Sequence, residues 1–104
     1  EGMYVSAFAP SPQVAGNTWI QSYQAVEYRN PDTYSVNGYS AMQVLLEGAK
    51  KADSLDSTKI SDAIRQMDLK SLIGDLKFTA NGDLQNPKVY IFQVKDGQFL
   101  QVER

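Results

Sequence analysis

Residues 71–104, SLIGDLKFTANGDLQNPKVYIFQVKDGQFLQVER, carry the strongest local structural signal in the chain. Asp96-Gly97 favours a two-residue hairpin turn, because a type I′ turn requires positive φ at both central positions. Apolar residues recur on both sides of this dipeptide, in 89–94 and in 99–102. The stretch therefore predicts a β-hairpin that ends the chain.

The predicted hairpin is apolar on both faces. The turn sets Val94 opposite Phe99 and Gln93 opposite Leu100, and side chains alternate between the two faces of a strand. One face then carries Tyr90, Phe92, Val94 and Phe99, and the other carries Val89, Ile91, Leu100 and Val102. Because an antiparallel hairpin on a small domain usually has one polar face, we expect this one to belong to a sheet covered on both sides.

Composition indicates a globular chain of one domain. The 104 residues include 42% hydrophobic and 21% charged residues, with a net charge of −2 and no block of like charge. Neither nucleic acid nor an anionic membrane is therefore an expected partner. Cysteine and histidine are both absent, which removes thiolate catalysis, the usual general base and the commonest metal ligands. We predict neither an enzyme nor a bound cofactor or metal.

Upstream of the hairpin, the pattern predicts one strand and three helices. GMYVSAF is the strand, and the prolines of APSP end it. Asn17 or Thr18 is the expected cap of the first helix. The apolar positions of that helix are Trp19, Ile20, Tyr23 and Val26.

The second helix is predicted from about Val36 to Ala52, with Ser35 or Asn37 as cap. Ser57 is the expected cap of the third helix. The predicted core positions of the two helices are Tyr39, Met42, Leu45, Leu46 and Ala49 in the second, and Ile60, Ala63, Ile64 and Met67 in the third. Gly48 weakens the second helix, so we expect close packing against another backbone there.

No motif of the chain assembles an active site. FTANGDLQNPK suggests a calcium loop, but placing Gly82 at loop position 6 puts lysines at positions 1 and 12, where acidic residues are required. It is therefore predicted to be a turn. Several aromatic residues offer a ligand wall or, alternatively, ordinary core; they are Trp19, Tyr23, Tyr28, Tyr34 and Tyr39.

Taken in order, these segments resemble the C-terminal third of periplasmic solute-binding proteins of the leucine/isoleucine/valine-binding type, the substrate-capturing subunits of ABC importers. EGMYVSAFAP is similar to the family's strand that leaves the hinge. NPDTYSVNGYSAMQVLLEGAKKA is similar to its Pro-x-x-Tyr stretch and Tyr-Asp-Ala helix, and residues 59–102 to its Ile-Gly, Gly-Asp turn and terminal hairpin. Two positions depart from the pattern: Ser40 and Thr79 stand where many relatives have Asp.

The resemblance implies an α/β chain that is a fragment of a two-lobed type I periplasmic-binding-protein fold. Residues 1–104 would form a C-terminal fragment of such a protein. About 1–74 would pack on one lobe, and about 75–104 would join the sheet of the other lobe. The implied function is extracytoplasmic capture of a branched-chain amino acid or related molecule by lobe closure, for delivery to an ABC permease. The alternative is a ligand-sensing or protein-interaction module on the same fold.

The resemblance also implies where ligand binds and what the isolated chain does. Most contacts in such a protein would come from chain outside these residues. Within them, Ser6 would offer a hydroxyl and Phe8 an apolar wall; the alternative for both is ordinary strand packing. Because both hairpin faces are apolar, we expect the isolated chain to form a homo-oligomer, most simply a strand-swapped dimer.

Overall fold

The computed structural model describes residues 1–102 and contains three α-helices and five β-strands in that range. In chain order they are β1 (Tyr4–Ala7), α1 (Asn17–Glu27), α2 (Thr33–Ala52), α3 (Ser57–Arg65), β2 (Asp68–Ser71), β3 (Gly74–Lys77), β4 (Tyr90–Lys95) and β5 (Gln98–Gln101). The chain divides into two compact units. Unit 1 comprises Glu1–Val36 with Lys88–Arg104, and unit 2 comprises Asn37–Pro87.

The terminal hairpin of unit 1 has the predicted register. Val94 pairs with Phe99 and Gln93 with Leu100. The turn residues Asp96 and Gly97 have φ of 53° and 74°, as a turn with two left-handed residues requires. The sequence prediction of this hairpin is confirmed.

The hairpin becomes a three-stranded antiparallel sheet because β1 pairs with β4, which gives the order β1-β4-β5. One face is partly covered: Phe92 is buried at 4% exposure, although Phe99 on the same face is exposed. The other face is largely open, with Leu100 52% exposed and Val102 45% exposed. Within this chain, therefore, the expected cover over both faces is incomplete.

Helix α1 begins without a side-chain cap. Its N-cap is Gly16, with a positive φ of 83° and an extended ψ of 162°, and the first turn closes through a hydrogen bond from Ile20 N–H to Gly16 O. Asn17 lies inside the helix, so the predicted cap at Asn17 or Thr18 is wrong. Glycine adopts this positive φ without a steric penalty, which explains why a residue with no capping oxygen precedes the helix.

Helix α2 begins at Thr33, three residues earlier than predicted, because Asp32 caps it. Asp32 Oδ1 accepts hydrogen bonds from the backbone N–H of Tyr34 (3.1 Å) and of Ser35 (3.0 Å). These N–H groups belong to the first turn and have no partner within the helix. The predicted caps Ser35 and Asn37 both lie inside the helix.

The predicted core face of α2 is wrong. Its buried positions are instead small or β-branched and recur every four residues, namely Val36, Ser40, Val44 and Gly48. The larger predicted residues are about half exposed, at 49% for Tyr39, 54% for Met42, 52% for Leu45 and 55% for Leu46. In α1, the predicted core residues Trp19 and Tyr23 are half-buried.

Gly48 allows α3 to pack closely on α2. A Cβ at this position would lie 2.5 Å from Ile64 Cγ1, nearer than side-chain atoms approach. The sequence predicted close packing here, and the partner is the side chain of Ile64 rather than another backbone. Asp56 caps α3 by accepting from the backbone N–H of Lys59 at 3.1 Å, so the predicted cap Ser57 is also wrong.

Unit 2 also contains a short hairpin that the sequence did not predict. Strands β2 and β3 pair antiparallel with Leu69 opposite Leu76, joined by Leu72 and Ile73. The sequence does contain an indication of this hairpin, since Asp-Leu-Lys occurs on either side of Ser-Leu-Ile-Gly. It is easily missed, because the Leu-Ile pair at the turn lacks the usual Asn, Asp or Gly of a two-residue turn. The hairpin supplies Leu76 to the unit 2 core, with Val44 and Met67.

Candidate functional site

The two residues that the sequence proposes for ligand contact lie at the end of β1. Ser6 pairs with Ile91 of β4, and Phe8 lies one residue beyond the strand. Ser6 is exposed, and Phe8 is 77% exposed. The structure therefore leaves a hydroxyl and an aromatic ring accessible within three residues of each other in unit 1. Their role in binding stays a prediction.

The sheet face around Ser6 is mixed in character. Because alternate residues share a face, the β1 register places Tyr4 and Ser6 on the same side as Ile91 and Leu100. Tyr4 is 64% exposed. This face offers hydroxyl groups beside apolar surface, which is the combination that a small amphiphilic molecule requires.

The segment after Phe8 is anchored to the sheet. Ala9 and Pro10 are buried, and the backbone N–H of Ser11 donates to Gln101 Oε1 of β5 at 2.7 Å. A short 3₁₀ helix, Pro12–Ala15, follows. Because the backbone after Phe8 is anchored to β5, contact of the exposed ring with a ligand requires ordering of the side chain but little ordering of the backbone.

The corner between α1 and α2 holds a compact polar and aromatic cluster. Trp19 and Tyr23 stack with ring centroids 5.4 Å apart, and the Arg29 guanidinium lies 5.7 Å from the Tyr23 centroid. Ser35 Oγ lies 3.2 Å from Tyr23 Oη and 2.9 Å from Asp32 Oδ1. Of the proposed aromatic wall, the structure thus brings Trp19 and Tyr23 together as a stack.

The environment of Asp32 favours its ionised form. The Ser35 hydroxyl, hydrogen bonded to the carboxylate, is the main cause that lowers the pKa of Asp32. The backbone N–H groups of Ser35 and Tyr34 and the charge of Arg29 act in the same direction. Arg29 Nη1 lies 3.8 Å from Asp32 Oδ2. The Asp32 carboxylate is therefore charged and already bound by Ser35 and Arg29. Tyr28 and Tyr34 of the same corner are exposed, at 90% and 68%.

Ser40, where the family pattern has Asp, is a buried position on α2. Its side chain is 1% exposed, and Ser40 Oγ has no hydrogen-bond partner in the described part of the chain. The Oδ1 atom of Asn37, one turn earlier, is buried and unpaired in the same way. A carboxylate in this environment would have a high desolvation penalty, so a small neutral hydroxyl is the easier residue to accommodate.

The Gly-Asp turn is a connection between paired segments, as predicted. Thr79 N–H donates to Asp83 O at 2.7 Å, Gly82 has φ of 95°, and Phe78 bridges to Leu84. Thr79 Oγ1 accepts from Asp83 N–H, so the Thr at this position takes part in the turn's own hydrogen bonds. Residues 1–102 contain no group of three or more His, Cys, Asp or Glu side chains placed to hold a metal ion.

No helix within residues 1–102 combines the length and apolarity needed to cross a bilayer.

Comparison with known proteins gives one consistent family. Residues 1–98 match the model of the family described as "Periplasmic binding protein". The Leu/Ile/Val-binding protein homolog 3 of Brucella melitensis is 30% identical over 84 residues, which are 77% of this chain and 23% of that protein. The leucine-, isoleucine-, valine-, threonine- and alanine-binding protein of Pseudomonas aeruginosa is 29% identical over 89 residues, 83% of this chain and 23% of that protein.

A solved structure agrees with these relatives. The leucine binding protein LivK of Thermotoga maritima superposes with a TM-score of 0.79 at 26% identity, over 97% of this chain and 30% of that one. The chain thus spans about a quarter of the length of the curated relatives it matches. The predicted fold class, part of a two-lobed α/β binding protein, is confirmed, with the β2–β3 hairpin as an additional element.

Proposed function

The chain belongs to the periplasmic binding protein family, and on this premise we propose that it serves in the capture of a branched-chain amino acid or a related small molecule for an ABC importer. The observation that carries the proposal is the match of nearly the whole chain to the leucine binding protein of Thermotoga maritima. Similarity to binding proteins for leucine, isoleucine and valine supports the same ligand class.

The proposed mechanism is capture by closure of two lobes. A ligand enters an open cleft, the lobes rotate about a hinge, and the closed form docks on the membrane permease at the extracytoplasmic face. The division expected from the sequence, about 1–74 on one lobe and about 75–104 on the other, would separate β1 from β4, whereas the two strands pair in one sheet. In this scheme, therefore, unit 1 belongs to one lobe and unit 2 to the other. Closure matters because it removes water from the ligand and so strengthens each polar contact inside the cleft.

Within this chain, we assign ligand contact to Ser6 and Phe8. An amino-acid zwitterion presents a carboxylate, an ammonium and an apolar side chain. The Ser6 hydroxyl is suited to donate a hydrogen bond to the carboxylate, and the Phe8 ring is suited to cover the apolar side chain. Their exposure and the anchored backbone after Phe8 support this assignment.

Calorimetry with leucine tests the proposal. We expect the 104-residue chain alone to show no binding of useful affinity, because it provides only part of a cleft. A chimaera in which this chain replaces the matching part of the Thermotoga maritima protein should bind leucine. Two variants of the chimaera are compared. Phe8→Ala removes the ring of the proposed site, and the control Val14→Ala removes another exposed apolar side chain of unit 1.

Two results would contradict these assignments. Micromolar leucine binding by the isolated monomer would show that capture does not require the second lobe. A chimaera that folds but binds equally well with Phe8→Ala and with Val14→Ala would remove Phe8 from the site.

The isolated chain is also expected to self-associate. Leu100 and Val102 on the open sheet face, and the half-exposed apolar residues of α2, are large apolar side chains left in water, and their burial would favour association. The strand edges of β1 and β5 offer unpaired backbone groups to another copy. We therefore propose a homo-oligomer, most simply a strand-swapped two-fold dimer, for the chain in isolation.

A further inference from the structure

The turn after β3 contains one of the two Asn-Gly pairs of the chain, Asn81-Gly82, and the other, Asn37-Gly38, lies in α2. The side-chain amide of an asparagine can react with the backbone nitrogen of the next residue. Glycine hinders this approach least, because it carries no side chain. Asn81 and Gly82 are both exposed, so water and hydroxide reach the pair.

Thr79 contacts both reacting parts of the Asn81-Gly82 pair. Its carbonyl oxygen accepts a hydrogen bond from Gly82 N–H at 3.0 Å, and its hydroxyl donates to Asn81 Oδ1. On the other side of the amide, Asn81 Nδ2 donates to Asp83 Oδ2 at 3.1 Å. The amide plane is therefore held with its oxygen against a hydroxyl donor. A donor in this position stabilises negative charge that develops on the oxygen during attack at Cγ.

We propose that Asn81 is a site of spontaneous conversion to aspartate and isoaspartate, assisted by the hydroxyl of Thr79. The Gly82 nitrogen loses its proton to hydroxide and attacks Asn81 Cγ, and the electron pair of the C=O bond moves to Oδ1. Collapse of this intermediate breaks the Cγ–Nδ2 bond and releases ammonia, which takes a proton from water and leaves a succinimide ring. Water then opens the ring at either carbonyl. The balance is one water consumed and one ammonia released.

The Asn37-Gly38 pair lacks both features. Gly38 lies inside the helix Thr33–Ala52, where its nitrogen is held in the helical ladder and reaches Asn37 Cγ only after local unfolding. Asn37 Oδ1 is buried and has no hydrogen-bond partner in the part of the chain that the structure describes. Negative charge on that oxygen would have no donor to stabilise it. The helix therefore protects the same dipeptide that the turn exposes.

Conversion changes the turn in which Asn81 lies. A carboxylate cannot donate a hydrogen bond, so the contact with Asp83 is lost and two negative charges face each other. Phe78 and Leu84 bridge across this turn, and Phe78 packs on the unit 2 core. Conversion should therefore loosen the edge of that core. The reaction requires no ligand, so its test does not depend on the proposed amino-acid capture.

Peptide mapping of the chain after incubation in mildly alkaline buffer tests the proposal. Trypsin separates the two Asn-Gly pairs into peptides 30–50 and 78–88, and each peptide also contains an Asn-Pro pair, which has no N–H to react. Mass spectrometry detects the exchange of NH2 for OH. In the folded chain we expect peptide 78–88 to convert at least about tenfold faster than peptide 30–50. In urea, where neither the turn nor the helix remains, the two rates should become equal.

Two variants test the role of Thr79. Thr79→Val removes the hydroxyl at similar shape and should slow conversion at Asn81 by about threefold to tenfold, the worth of one hydrogen bond. Thr79→Ser keeps the hydroxyl and should retain the parent rate. Thr79 Oγ1 also accepts from Asp83 N–H at 3.2 Å, so Thr79→Val loosens the turn as well. A merely structural role of Thr79 would therefore raise the rate in Thr79→Val, whereas assistance lowers it.

Two outcomes would overturn the proposal. Equal conversion of peptides 30–50 and 78–88 in the folded chain would show that the turn does not select Asn81. A rate at Asn81 in Thr79→Val that equals or exceeds the parent rate, while peptide 30–50 stays unconverted, would remove Thr79 from the reaction.

Discussion

The two sides of α2 differ in a way that reverses the usual relation between size and burial. The buried side presents Val36, Ser40, Val44 and Gly48, whereas the opposite side presents Tyr39, Met42, Leu45 and Leu46 to solvent. A helix that is apolar all round is typical of a position covered on two sides. Within this chain only the side with the smaller residues is buried. The other side is available for contact with a further layer of polypeptide.

The first prediction compares two methionines, one from the unit 2 core and one from the exposed side of α2. Met67 is 7% exposed and Met42 is 54% exposed. Met67→Ala should lower the free energy of unfolding by about 2–5 kcal/mol, because it leaves a cavity in the core. Met42→Ala should stay within about 0.5 kcal/mol, as a surface substitution does. Urea unfolding of both variants gives the values, and equal losses would mean that Met42 is packed as closely as the unit 2 core.

The second prediction compares two glycines of the same helix. Gly48→Val places its side chain against Ile64 and should destabilise the chain by about 1–3 kcal/mol through overpacking. At Gly38 no atom lies within 4 Å of an added Cβ, and Gly38→Ala should stabilise the helix by up to about 1 kcal/mol. Thermal unfolding separates the pair; a neutral Gly48→Val would show that α2 and α3 are not in close contact.

The third prediction concerns pH and has the smallest expected effect, because Asp32 lies at the surface. The lowered pKa of Asp32 means that its ionised form stabilises the folded chain above the unfolded pKa of about 3.9. That contribution is lost as pH falls through the folded pKa. The Asp32→Asn variant keeps a capping oxygen but has no charge to lose. The difference in free energy of unfolding between the parent chain and this variant should therefore become smaller as the pH falls through the folded pKa of Asp32. A difference that stays constant from pH 7 to pH 2 would contradict this assignment.

Sequence reasoning succeeded where the signal is local. Asp96-Gly97 demands two positive φ values, so the turn, the register and the faces of the terminal hairpin all follow from a dipeptide. The three helices were predicted from the regular spacing of their apolar residues, which is also a local signal. The matching order of segments along the chain identified the family.

Sequence reasoning failed where the outcome depends on competing neighbours. Each helix start was placed at a nearby Ser, Thr or Asn, whereas Asp32 and Asp56 reach the free N–H groups of two of the helices. The core side of α2 was assigned to the largest apolar residues, because size cannot indicate which of two apolar sides the chain itself covers. Ser6 and Phe8 remain predictions for a related reason, since a cleft is formed by two lobes and this chain represents about a quarter of its relatives' length.

Light scattering over a dilution series tests the central claim, that this chain exposes apolar surface which another polypeptide must cover. The predicted result is a mass of at least twice 11.6 kDa at high concentration, falling toward the monomer on dilution. Leu46→Glu, on the exposed side of α2, should shift this equilibrium toward the monomer, whereas Lys50→Glu one turn later should not. A mass of 11.6 kDa at every concentration, together with a well-dispersed amide spectrum, would contradict the account.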